Sequence, residues 1–144
     1  MAELDSKVAL ITGGARGIGR GIAVSLAEAV AVSLAEAGAD IAVADIEKIS
    51  SPIQHYGTTD LGGLSSLRTT VAEISEMGRR ALSIQADVTS KKDVQNMIDE
   101  TVRKLGSLDI LVCNAGVVSF SSIEELTEEA WDLTFAVNVK GVFL

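Results

Sequence analysis

The chain has 144 residues, 47% of them hydrophobic, with a formal net charge of −8 and a single cysteine. That length holds at most one domain, and the acidic balance argues against the clustered Lys and Arg that a nucleic acid or an anionic membrane surface requires. Cys113 alone permits neither an internal disulfide nor a thiolate metal site, so no metal is expected. The opening Met1-Ala2-Glu3-Leu4-Asp5 lacks the basic-then-apolar order of a signal peptide. No apolar run approaches the ~18 residues of a membrane span, and a cytoplasmic protein is expected.

Val8–Ile11 reads as a short apolar strand, followed by the glycine-dense segment Thr12-Gly13-Gly14-Ala15-Arg16-Gly17-Ile18-Gly19 and then an alanine-rich helical pattern. A strand, a glycine turn and a helix N-terminus in that order make a site for a dinucleotide pyrophosphate. Free N–H groups and the positive end of the helix face the anion, and the glycines let the backbone come close. Within the helical pattern, Ala23–Ala29 recurs unchanged as Ala31–Ala37, a tandem copy with a period of eight residues. A continuous helix from Gly17 to Ala37 would be ~31 Å long against ~17 Å for a five-residue strand. Eight residues also turn the apolar stripe by about 80°. The duplicate is therefore expected to overhang the sheet or to bulge, and a duplication in the gene or an error in the sequence record is the plainer origin.

Ile41–Ala44 forms a second apolar strand ending in Asp45, where a carboxylate accepts hydrogen bonds from the adenosine ribose hydroxyls and repels a 2′-phosphate. NAD is thus expected over NADP. The 26 residues from Gly19 to Asp45 become 18 without the duplicate, near the usual ~20. A solvated loop carboxylate is the alternative for Asp45, and Arg16 is a basic residue that could pair with a 2′-phosphate or lie in solvent. Residues 46–67, with Pro52, His55 and Tyr56, read as an extended loop, and a helix follows at about 64–77. A third strand is expected at Ala81–Ala86, a helix at 91–105 capped by Ser90 and Gly106, and a fourth strand at Leu108–Cys113. Val94, Met97, Ile98, Thr101, Val102 and Leu105 share one face of the helix at 91–105. From Thr127 to the end runs another helix, with Trp131, Phe135, Val139 and Val142 to one side. Continuously apolar strands alternating with helices predict an α/β, Rossmann-type, doubly wound parallel sheet, cut short after about four strands.

Three further motifs lie in order along the chain: Asp87-Val88 after the third strand, Asn114-Ala115-Gly116 after the fourth, and Asn138 within Val137-Asn138-Val139-Lys140-Gly141. Taken singly, Asp87 reads as a turn or N-cap residue, Asn114 as a loop-capping amide, Asn138 as a buried helix amide satisfied by backbone, and Thr12 as a strand-end hydroxyl. Cys113 reads as a small apolar filler inside the fourth strand. Together with Thr12–Gly19, the motifs resemble the N-terminal part of a classical short-chain dehydrogenase/reductase over essentially the whole chain. The resemblance implies NAD(P) binding by Thr12, Gly13, Arg16, Gly17, Ile18, Gly19, Asp45, Asp87, Val88, Asn114, Ala115 and Gly116. Asp87 would face the adenine amino group and Val88 would offer a backbone contact, while Asn114-Ala115-Gly116 would let the chain pass close to the cofactor. Asn138 would kink its helix and help hold a proton-relay water.

The resemblance also implies a small-molecule alcohol or ketone substrate, hydride transfer, and a homodimer or homotetramer in the full-length form. The loop at 46–67 resembles that of carveol-dehydrogenase-like members. The family completes its catalytic set with a serine and a Tyr-x-x-x-Lys. Here the single tyrosine, Tyr56, is followed four residues on by Asp60, and His55 reads as a surface residue. Residues 1–144 are therefore expected to be one partial NAD(P)-binding domain without the C-terminal catalytic part, inactive alone and of marginal stability, with the fourth strand an exposed edge. A non-catalytic dinucleotide-binding module or an inactive gene fragment is the alternative.

Overall fold

The apolar runs form one parallel sheet. In the computed structural model, which describes residues 3–13, 31–46 and 63–144, the strands are β1 (Val8–Thr12), β2 (Asp40–Asp45), β3 (Ala81–Gln85) and β4 (Ile110–Val112). Their order is β3-β2-β1-β4. Val8–Thr12 pair with Asp40–Ala44, Ile41–Asp45 with Ala81–Gln85, and Ala9–Ile11 with Ile110–Val112. All three pairings are parallel. The helices are α1 (described over residues 31–36), α2 (Gly63–Glu76), α3 (Lys91–Leu105), α4 (Glu128–Phe135) and the single turn α5 (Gly141–Phe143), the last two joined by a π-helical turn, Ala136–Lys140.

Because successive strand side chains point to opposite faces, each strand feeds two cores. Ala9, Ile11, Ile41 and Val43 meet Ala31 and Ala35 of α1 and Leu67 and Ile74 of α2. Val8, Leu10, Ala42 and Ala44 meet Val94, Met97 and Leu105 of α3. Helices thus cover both faces, as the unbroken apolar strands imply. The α3 helix begins where Ser90 Oγ accepts the Asp93 N–H and stops at Gly106, whose φ of 100° lets its N–H bond the Val102 carbonyl. Val102, expected on the inner face, is exposed, while Val94, Met97, Thr101 and Leu105 are buried.

Two further expectations are corrected. The fourth strand is shorter than Leu108–Cys113, and Cys113 lies beyond it and exposed, not as apolar filler. The helix expected from Thr127 runs from Glu128 to Phe143, widened by the π turn at Ala136–Lys140. The side of that helix bearing Trp131, Phe135, Val139 and Val142 faces outward, while Ala130 is buried. The second copy of the duplicated heptapeptide forms α1, with Ala31 and Ala35 on the sheet. The first copy lies outside the described residues, and with it the expected overhang or bulge. Residues 47–62, including His55, Tyr56 and Asp60, also lie outside them. Among the described residues, no helix is long and apolar enough to cross a membrane.

Candidate functional site

In an open parallel sheet, ligands bind beyond the carboxyl ends of the strands where the strand order reverses. Here that point lies between β1 and β4. A cavity of about 220 Å³ opens there, lined by Gly13 after β1, Asp45 and Ile46 at the end of β2, Asp87–Thr89 after β3 and Ala115–Val117 after β4. Leu133 and Val137 close it from α4 and the π turn. The volume is below the ~300–1,000 Å³ typical of small-molecule pockets. Gly13 leads directly into Gly14–Gly19; Arg16, Gly17, Ile18 and Gly19 lie outside the described residues.

The junction of β1 and β4 is fastened by two side chains. Buried Thr12 accepts the Asn114 and Ala115 N–H groups on its Oγ1, each at 3.2 Å, and donates that hydroxyl to the Val112 carbonyl. Asn114 Nδ2 returns the contact, donating to the carbonyls of Thr12 at 3.1 Å and Gly13 at 3.3 Å. Asn114 therefore acts here as the loop-capping amide of the simpler reading, and Thr12 does more than cap a strand end. Gly13 sits at φ 74°, and a Cβ there would lie 2.7 Å from Ala115 Cα. Only a glycine lets the β1 turn and the Asn114-Ala115-Gly116 turn pass this closely.

Asp45 is 7% exposed at the end of β2, and its Oδ1 accepts the Ile46 N–H at 2.7 Å. It borders the cavity and is not a solvated loop carboxylate. Asp87 closes a tight turn: its Oδ1 accepts both the Thr89 N–H (2.8 Å) and the Thr89 hydroxyl (2.7 Å). This is the turn reading of Asp87, and it presents Val88 at the cavity wall.

Asn138 lies in the π turn and grips Val117 from both sides. Its Oδ1 accepts the Val117 N–H at 2.8 Å and its Nδ2 donates to the Val117 carbonyl at 2.9 Å. The position is exposed, which corrects the expectation of burial, while the pairing with backbone holds. A π turn at this residue matches the expected distortion of the helix, since π turns widen a helix locally by one residue. Sequence reasoning missed Thr89, Val117, Leu133 and Val137. An Asp-x-Thr turn signal and the i, i+4 spacing of the last pair were the available signs.

A family model described as short chain dehydrogenase matches residues 61–144. The chain is 37% identical over 142 residues to elsinochrome reductase 1 of Elsinoe fawcettii, covering 99% of this chain and 45% of that protein. Among solved structures, carveol dehydrogenase from Mycobacterium avium in complex with NAD is 29% identical at a TM-score of 0.81, covering 99% of this chain and 48% of that one. A short-chain dehydrogenase from Burkholderia cenocepacia in complex with NADP is 35% identical at a TM-score of 0.75, covering 98% and 48%. The chain spans about half the length of the relatives it matches. Sheet order, the cavity at the strand ends and these likenesses agree: the chain belongs to the short-chain dehydrogenase/reductase family.

Proposed function

We propose that the chain is the cofactor-binding half of an NAD-dependent oxidoreductase that interconverts an alcohol and a carbonyl compound. The observation that carries this reading is the buried Asp45 carboxylate at the cavity rim, beside the Asp87–Thr89 turn. An acidic side chain there accepts ribose hydroxyls and opposes a 2′-phosphate, favouring NAD over NADP. Thr12, Gly13, Arg16, Gly17, Ile18 and Gly19 hold the pyrophosphate. Asp87 and Val88 border the adenine, and Asn114, Ala115 and Gly116 let the chain run close to the cofactor. When bound, the nicotinamide supplies hydride acceptance or donation. Asn138 holds Val117 in place and belongs to the catalytic set, which in the complete protein also needs a serine, a tyrosine and a lysine.

The chain alone binds without turnover in this reading, since Tyr56 is followed at the fourth position by Asp60 and not by lysine. The complete protein is a cytoplasmic homodimer or homotetramer, with the outward Trp131–Phe135 stack, centroids 4.5 Å apart, in the contact between subunits. Calorimetric titration of the chain with NAD+ and NADP+ tests the cofactor reading. NAD+ binds more tightly, and Asp45→Ser narrows the preference by about tenfold, equivalent to ~1.4 kcal/mol. Equal binding of both cofactors by the parent would remove Asp45 from the discriminating role, and binding of neither would overturn the reading.

A further inference from the structure

Gly141 has ordinary helical dihedrals, φ −61° and ψ −31°, so its backbone conformation asks nothing of glycine. Glycine in a helical segment also weakens it relative to alanine. What the position requires is space. A Cβ on Gly141 would lie 2.9 Å from Val88 Cγ2 and 3.2 Å from Val88 Cβ. Val88 lines the cavity and sits in the turn that Asp87 Oδ1 closes on Thr89. Its β-branched side chain has few rotamers in which to retreat, so a methyl group on Gly141 displaces the turn itself. The helical segment bearing Gly141 is part of the same wall through Leu133 and Val137, and Asn138 ties it to Val117.

We propose that Gly141 is a positioning residue for the dinucleotide: its missing side chain seats the helix against Val88 and so sets the Asp87–Thr89 wall of the cofactor cavity. This rests on the cofactor reading above. The test is NAD+ titration of the parent chain, Gly141→Ala, Val88→Ala, and the two combined. Gly78→Ala serves as a control: that glycine has φ 77° with nothing within 4 Å of an added Cβ, so the change strains the chain away from the cavity.

Gly141→Ala weakens NAD+ binding by roughly tenfold, the usual scale of overpacking at a closed contact. Val88→Ala alone sets the baseline for a wall without the Cγ atoms, and Gly141→Ala weakens binding less in that background than in the parent, because the 2.9 Å contact with Cγ2 is gone while Val88 Cβ remains at 3.2 Å. Gly78→Ala lowers the unfolding midpoint and leaves NAD+ affinity unchanged. If the parent binds NAD+ and Gly141→Ala binds it equally well, the positioning role is overturned while the cofactor reading stands. Gly141→Ala weakening NAD+ binding by the same factor in the parent and in the Val88→Ala background overturns it too. If Gly141→Ala fails to fold, the double variant decides: binding like that of Val88→Ala alone supports the role, and a folded double variant that does not bind where Val88→Ala does overturns it. A parent that does not bind NAD+ overturns both readings together.

Discussion

Leu10 and Leu111 are register partners on neighbouring strands and point to the same face of the sheet, yet Leu10 is 0% exposed and Leu111 50%. The sequence around each is equally apolar. What differs is cover: Leu10 has α3 above it and β2 and β4 beside it, whereas β4 has a described neighbour only in β1. The central strands are held by burial. The edge strand has three paired residues and is held instead by polar clasps at both ends, Thr12 with Asn114 at the site end and Asp109 with Val8 at the other. The clasp at the site end fixes the two turns on which the cavity depends.

The sharpest way to break this comparison is to truncate both leucines. Leu10→Ala removes a fully buried side chain and costs about 2–5 kcal/mol. Leu111→Ala, half in solvent already, costs about 1 kcal/mol or less by the same scale of buried area. Urea unfolding midpoints of the two variants check this; equal losses would mean that β4 is as deeply covered as β1. Next in size is the clasp at the site. Thr12→Val keeps the shape and removes the acceptor shared by the Asn114 and Ala115 N–H groups, leaving polar groups without their partner at about 1–3 kcal/mol. Thr12→Ser keeps the oxygen and stays near the parent. If Thr12→Val unfolds with the parent's midpoint, water replaces the hydroxyl there, and the edge strand relies on its ladder alone.

The same contrast explains what could be read from the sequence. Strand identity and the two-sided core were legible because Val8–Ile11 and Ile41–Ala44 are unbroken apolar runs, which only a sheet covered on both faces accommodates. The caps of α3 were legible because Ser90 and Gly106 act through their own turns of chain. The extent of β4 was not, because Leu108 and Cys113 are apolar enough for a strand while pairing with β1 covers only Ile110–Val112. Nor was the outward direction of Trp131 and Phe135: an apolar stripe marks a face that needs cover and does not name what covers it. The site was legible as a set of motifs, since Asp45, Asp87 and Ala115 do border one cavity. The Asp-x-Thr turn and the i, i+4 spacing of Leu133 and Val137 mark a turn and a shared helix face, but that both line one cavity depends on how that helix and the turn after β3 come together in space.

The smallest expected effect lies at the far clasp and carries a pH signature. Asp109 Oδ2 accepts the Val8 N–H at 2.9 Å and the Ser107 hydroxyl at 2.8 Å, and its Oδ1 faces Lys7 Nζ at 3.3 Å. The Val8 N–H, then Ser107, then Lys7 favour the ionised carboxylate and hold its pKa below the ordinary 3.8. A carboxyl group that binds its proton less readily in the folded chain than in the unfolded one adds stability above the unfolded value and loses it as pH falls through the lower folded value. The contribution is thus complete at neutral pH and fades only below 3.8. Asp109→Asn removes that titration, so parent and variant differ most in urea midpoint near neutrality and converge in acid. A gap that stayed constant from pH 6 to below 3.8 would show that the carboxylate's charge plays no part in fastening β4, and that geometry alone holds the edge strand at that end.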